Sequence, residues 1–162
     1  MKPSNEPVIL PAPVPPAFPI SLGSALDFIC DHFDQEIDLG DIAAAVGVSR
    51  FYLCRRFNRS FGVTVMGWVW SLRAHLAREL MLGCPHLRLT DVAFSCGFNS
   101  SAHFSRTFRR IFDVSPSNET RREKQKKMGP ALIRFGSNPR ELGARLARTL
   151  AYQVLMMPVE HS

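Results

Sequence analysis

In the stretch GFNSSAHFSRTFRRIF, residues 97 to 112, Phe104, Phe108, Ile111 and Phe112 recur at the three- and four-residue spacing of one helix face. Ala102, Arg106 and Arg109 fall on the opposite face, small at its start and cationic further along. The same periodicity runs through Val65, Val69, Leu72, Leu76 and Leu80, which predicts a helix from about Val65 to Leu82, closed by Gly83-Cys84-Pro85. Such a helix is roughly 27 Å long. A third stripe, Leu142, Leu146, Leu150 and Val154, follows a capping-box pattern at Asn138-Pro139-Arg140-Glu141 and predicts an amphipathic helix over about 139–156.

An internal repeat organises these elements. Asp41-Ile42-Ala43 matches Asp91-Val92-Ala93, and Gly47-Val48 matches Gly97-Phe98, at an offset of 50. Beyond the glycine the offset becomes 51, where Leu53, Arg55, Phe57 and Phe61 match Phe104, Arg106, Phe108 and Phe112. Each copy is a short helix, a glycine turn and a longer helix, the sequence form of a helix-turn-helix. Asp38 and Thr90 are expected as helix N-caps, and Ser49 as the cap of the first copy's second helix. Gly47 and Gly97 stand where a left-handed turn is needed, Gly62 can close the longer helix, and Ala43 and Ala93 are small enough for two helices to cross closely. A plain helical hairpin explains one such copy. Two copies, each with an arginine on the outer face of its second helix, point to a groove-reading pair.

Composition narrows the class. Seven of the twelve prolines lie in residues 1–20, so this segment is expected to be an extended lead-in or linker remnant, not a signal peptide. No apolar run approaches a membrane span, and no membrane partner is expected. Four cysteines, Cys30, Cys54, Cys84 and Cys96, have no metal or disulfide spacing, so reduced thiols in a cytoplasmic protein are expected, without a metal or cofactor. The overall charge of +6 hides a segregation: six acids and no Lys or Arg over residues 21–49, then fifteen Lys and Arg against five acids over residues 50–127. A polyanion binder whose other side must stay free of the polyanion has this distribution. The residue types around Cys84 in GCPHLR suggest an alkyl-acceptor cysteine, but no His or acid is spaced to activate it, and an enzyme is not expected.

The pattern DIAAAVGVSRFYLCRRFNRSFGVT, a long helix, then DVAFSCGFNSSAHFSRTFRRIFDVSP resembles the DNA-binding domain of the AraC/XylS family of bacterial transcription regulators, over about residues 21–128. The resemblance implies an all-α fold of about seven helices. Two helix-turn-helix subdomains, about 38–61 and 90–112, are joined by a long central helix, with the C-terminal amphipathic helix added in the 129–162 extension. It implies double-stranded DNA as partner, read in adjacent major grooves by one chain, and transcription activation through RNA polymerase in the cytoplasm, at the nucleoid. Carried over by position, Phe51 and Arg55 on the first recognition helix, and Ser101, Ala102, Ser105 and Arg106 on the second, are the base-contacting candidates. The two arginines suit guanine O6 and N7, while Phe51 or Ala102 can meet a thymine methyl. Arg50, Arg56, Asn99, Ser100 and His103 suit phosphate. Trp68 and Trp70 are expected to pack within the domain, not to stack on bases.

After Ser115-Pro116-Ser117 the family has an aromatic residue and arginine where this chain has Glu119 and Thr120, so the last helix is expected to pack less firmly, with Arg121, Arg122, Lys124, Lys126 and Lys127 either on phosphate or solvated. The proline-rich stub, standing where family members carry a sensing domain, suggests a single-domain regulator controlled by its abundance or a piece of a longer one. The tail is read as packing back on the domain, with self-association as the second reading and a frayed appendage as the third; the domain is expected to bind DNA as a monomer, a unit that a dimer contact through the tail leaves unchanged. A helical protein-interaction adaptor, without salt-sensitive DNA binding, is the alternative function.

Overall fold

A computed structural model describes residues 22–84 and 86–125. Over these residues the chain forms α1 (Leu22–Asp31), α2 (Leu39–Ala45), α3 (Arg50–Phe61), α4 (Val65–Gly83), α5 (Leu89–Ser95), α6 (Ser101–Phe112) and α7 (Pro116–Gln125), with no strand among them. The expected helix over 139–156, Pro85, and Lys126 and Lys127 lie outside the described residues.

Local chemistry sets the helix ends. Asp38 has extended backbone, and its Oδ1 accepts from the Asp41 N–H at 2.9 Å while Asp41 Oδ2 accepts from the Asp38 N–H at 2.8 Å. This reciprocal box satisfies two of the amides that a helix start leaves unpaired. Ser49, Thr64 and Ser100 cap α3, α4 and α6 by accepting from the N–H groups of Tyr52, Gly67 and His103. The Gly62 N–H closes α3 on the Asn58 carbonyl at 2.7 Å.

The second copy departs from expectation at its start. Thr90 is not the N-cap of α5; Arg88 is, and it makes no side-chain capping bond. The 50-residue offset places Arg88, not Thr90, opposite Asp38, and helical backbone begins at Leu89, which leaves Thr90 inside the first turn. With no side-chain oxygen from the cap, α5 has only Asp91 in its first turn to favour the positive end of its dipole.

The central helix is more than a spacer. Its buried positions include Trp68, Arg73, Ala74, Ala77 and Met81 as well as the predicted stripe, because α3 packs toward one end while α5, α6 and α7 pack along the rest. One continuous core runs from Leu26 and Ile29 of α1 through Leu53 and Phe57 of α3 to Val92, Phe98, Phe104 and Phe108 of the second copy. Ala43 and Ala93 are buried where the helices of each copy meet, and their carbonyls accept from the Val48 and Phe98 amides across the two turns.

The last helix is held more firmly than the sequence suggests. Glu119, 6% exposed, accepts from Arg78 Nε at 2.7 Å and lies 2.6 Å from Arg78 NH2, tying α7 to α4. A partly buried charged pair takes the place of the expected aromatic contact, and the Arg78 guanidinium lies 5.2 Å from the Phe112 ring centre. Thr120 Oγ1 donates to the Pro116 carbonyl at 3.0 Å within α7 itself.

Candidate nucleic-acid interface

The two longer helices of the repeat bury one face each and expose the other. On α3, Leu53 and Phe57 are fully buried, whereas Phe51, Arg55, Arg56 and Arg59 are exposed, Phe51 to 75%. Full burial of a Phe or Leu is worth about 1.5–3 kcal/mol relative to exposure, which fixes the rotation of the helix. An apolar ring left 75% exposed beside three guanidiniums is therefore a feature of the surface, not of the core. Phe51, Tyr52, Arg55, Arg56 and Arg59 line a shallow cleft along this face.

On α6, Phe104, Thr107 and Phe108 are buried, and Ser101, Ala102, Ser105, Arg106, Arg109 and Arg110 are exposed. The exposed face begins with three small side chains and becomes cationic in the next turn. Close approach of the helix N-terminus to a groove floor needs the first property, and bidentate reading of a guanine edge needs the second. Arg55 and Arg106, one place apart from the 50-residue offset, stand at corresponding exposed positions of the two copies.

The phosphate candidates divide. Arg56 and Asn99 are exposed. Arg50 is exposed too, but its guanidinium lies across the start of α2, close enough that a methyl group on Gly40 would come 2.6 Å from its NH2. Asp38 is held below its usual carboxylate value by the Asp41 amide first, then by the Gly40 amide and Arg50, so Arg50 shares its charge with that carboxylate. Ser100 is half-buried and uses its hydroxyl oxygen as the α6 cap, which leaves the hydroxyl proton for another acceptor. His103 is half-buried, its ring 4.3 Å from that of Trp70 and 5.6 Å from that of Phe98. Burial first, then Arg106, Arg110 and Arg73, hold its pKa below the usual histidine value, so at neutral pH it offers a phosphate an N–H but no charge.

Trp68 is 4% exposed and packs on Phe57, and Trp70 packs on Phe98, so both indoles serve the core as expected. No disulfide joins any of the four cysteines, and burial pushes the Cys96 thiol up to about 12. Among the described residues no group of His, Cys, Asp or Glu is arranged to hold a metal, and no helix is long and apolar enough to cross a membrane.

Two features escaped the sequence reading. Arg73 is 1% exposed and donates to three main-chain carbonyls, and Tyr52 contributes to the α3 cleft. Arg73 left a signal: it sits inside the apolar stripe, three or four residues from Val69, Leu76 and Ala77, where a solvated arginine has no room.

A family profile described as a helix-turn-helix domain matches residues 42–122, half of the chain. The solved transcriptional regulator from Chromobacterium violaceum, titled as carrying an AraC-type DNA-binding domain, superposes with a TM-score of 0.58 at 32% identity, covering 64% of this chain and 92% of that one. The chain belongs to the AraC/XylS family of transcription regulators. A second structural similarity is to the DNA-binding domain of AdpA, a global transcriptional factor solved with a target DNA, with a TM-score of 0.61 and 25% identity over 65% of this chain and 95% of that one. Among curated relatives, the transcriptional activator RhaS of Klebsiella pneumoniae is 39% identical over 95 residues, 59% of this chain and 34% of the relative. The transcriptional activator NphR of a Rhodococcus species is 40% identical over 83 residues, 51% of this chain and 24% of the relative. The chain thus spans about a third or less of the length of these curated relatives.

Proposed function

We propose that this AraC/XylS chain is a sequence-specific DNA-binding regulator that places α3 and α6 in adjacent major grooves of one duplex and raises transcription by contact with RNA polymerase. The observation that carries the reading is the paired exposure of Arg55 and Arg106 at matching places of two non-identical helices built on one core. Arg55 and Arg106 fork onto guanine edges. Phe51 meets a thymine methyl, and Ser101, Ala102 and Ser105 let α6 approach the bases. Arg56, Asn99, Arg50, Ser100 and His103 hold the backbone and set register, the last three as weaker contacts for the reasons given above. Successive major grooves on one face of B-DNA lie about 34 Å apart, and α4, at about 28 Å, has the length to span them with some bending of the DNA. The relatives that carry the name of activators motivate the direction of control. The protein works in the cytoplasm, at the nucleoid.

Selection of the full chain on a randomised duplex pool, followed by mobility shift of the selected duplex over a salt series, tests the reading. A single enriched site with two distinct half-elements, and affinity falling steeply with salt, is expected. Binding without sequence preference, or no binding, would leave the helical adaptor as the function.

A further inference from the structure

Arg73 is the largest fully buried side chain among the described residues, and its three hydrogen bonds reach across the molecule. Nε donates to the Phe33 carbonyl at 2.8 Å and NH2 to the Gln35 carbonyl at 2.6 Å, both in the turn that follows α1. NH1 donates to the Gly97 carbonyl at 2.8 Å, in the left-handed turn between α5 and α6. The guanidinium lies 4.6 Å from the ring centre of Trp70, which in turn packs on Phe98 just beyond that turn. The α1 segment packs on α2 of the first copy, and the Gly97 turn sets the start of the second copy's recognition helix. The two segments also touch directly: a methyl group on Gly97 would run into the Phe33 carbonyl oxygen. One cation on the central helix therefore fastens a segment of the first unit to the turn of the second.

A covalent link through α4 limits the separation of the two units but leaves their relative rotation to packing. Three directed bonds from one planar group to two segments fix that rotation as well, because a guanidinium holds its donors in a rigid fork. We propose that Arg73 is the positioning residue that sets the angle and distance between α3 and α6, and thereby the number of base pairs the protein accepts between its two half-elements. The proposal rests on the two-groove reading above. Linked modules gain affinity only while their geometry lets both engage at once, so a loosened clamp weakens the composite site and widens the spacings tolerated, while each half-element alone is bound as before.

The test compares the full wild-type chain with Arg73→Lys, which keeps the charge but not the fork, and Arg73→Met. The probes are the duplex selected by the wild type, the same duplex with one base pair inserted or removed between the half-elements, and duplexes keeping a single half-element. Wild type is expected to prefer the parent spacing strongly. Arg73→Lys is expected to lose about tenfold on the parent duplex, to bind the spacing variants nearly as well as the parent, and to hold single half-elements unchanged. An unaltered spacing profile overturns the proposal, as does an equal loss on parent and single half-elements, the mark of a merely structural role. Loss of helical circular dichroism in both variants overturns it too, since Arg73 would then serve folding as a whole. Amide residual dipolar couplings provide an arm that needs no DNA. One alignment tensor is expected to fit both units of the wild type and two tensors the Lys variant; two tensors in the wild type refute the clamp. If the wild type selects no site, the DNA reading fails while the couplings still decide whether Arg73 fixes the units.

Discussion

Gly47 and Gly97 occupy the same place in the repeat and share left-handed backbone, φ +70° and +78°, yet their surroundings differ. A methyl group at Gly47 meets nothing within 4 Å, so Gly47→Ala carries only the cost of an L-residue in that conformation, about 1–2 kcal/mol. At Gly97 the same methyl group strikes the Phe33 carbonyl oxygen and comes within 2.9 Å of Arg73 Cζ. Overpacking of a tight interior adds about 1–3 kcal/mol. Disturbance of the hydrogen bond from Arg73 to the Gly97 carbonyl adds about 1.5–3 kcal/mol, the usual value for a charged donor. Gly97→Ala is therefore expected to cost about 3.5–8 kcal/mol, a large share or more of the stability of a small domain. Urea unfolding of the two full-length variants, followed by circular dichroism, should show the Gly97→Ala midpoint lower than that of Gly47→Ala by about 1–3 M, at an m of about 2 kcal/mol/M. Equal midpoints would refute the reasoning, because they would mean that the second turn is not packed against the first unit.

Arg55→Ala and Arg106→Ala are each expected to weaken the selected site by about 1–3 kcal/mol and to relax preference at different base pairs roughly one helical turn apart, read by competition with single-base variants; unchanged preference in both removes the groove assignment. Glu119→Ala breaks a pair whose arginine is 37% exposed, so about 1–3 kcal/mol is expected, less than for a wholly buried pair. A double-mutant cycle with Arg78→Ala checks it, and a coupling energy near zero would show that the contact does not hold α7. Burial first, then Arg78, keeps the His75 pKa below the usual histidine value, so the folded state binds fewer protons than the unfolded one as pH falls past about 6.5. Stability is expected to drop as pH is lowered from about 7.5 to about 5.5, and His75→Phe to flatten that drop; a urea midpoint that rises on acidification, or the same slope in the variant, contradicts the assignment.

The hydrophobic period and the repeat made the helices of both copies and the orientation of α6 legible, because Phe104 and Phe108 can be buried only with Ala102 and Arg106 outward. The glycine turns were legible for a similar reason: few other residues adopt φ near +70°. What stayed hidden depends on contacts between residues distant in the chain. Arg73 bonds carbonyls 38 and 40 residues before it and 24 after it, and carbonyls leave no trace in a side-chain pattern. Glu119 looked like a loss of packing because its partner, Arg78, stands 41 residues away. Thr90 misled as a cap because residue preference was weighed ahead of the repeat's own register, which pointed to Arg88. The half-buried setting of His103 was hidden too, since only the fold brings Trp70 and Phe98 around its ring.

The central claim is that one chain carries both reading heads, non-identical on their outer faces: Phe51 and Arg55 against Ser101, Ala102 and Arg106. Native mass measurement of the full chain on its selected duplex, joined to hydroxyl-radical footprinting of the same complex, tests it most directly. One chain per duplex is predicted, on an asymmetric site of about 20 base pairs with two protected patches on one face, about one turn apart. An obligatory pair of chains on a palindrome, each protecting one half-site through a single helix, would contradict the account even though the protein bound DNA.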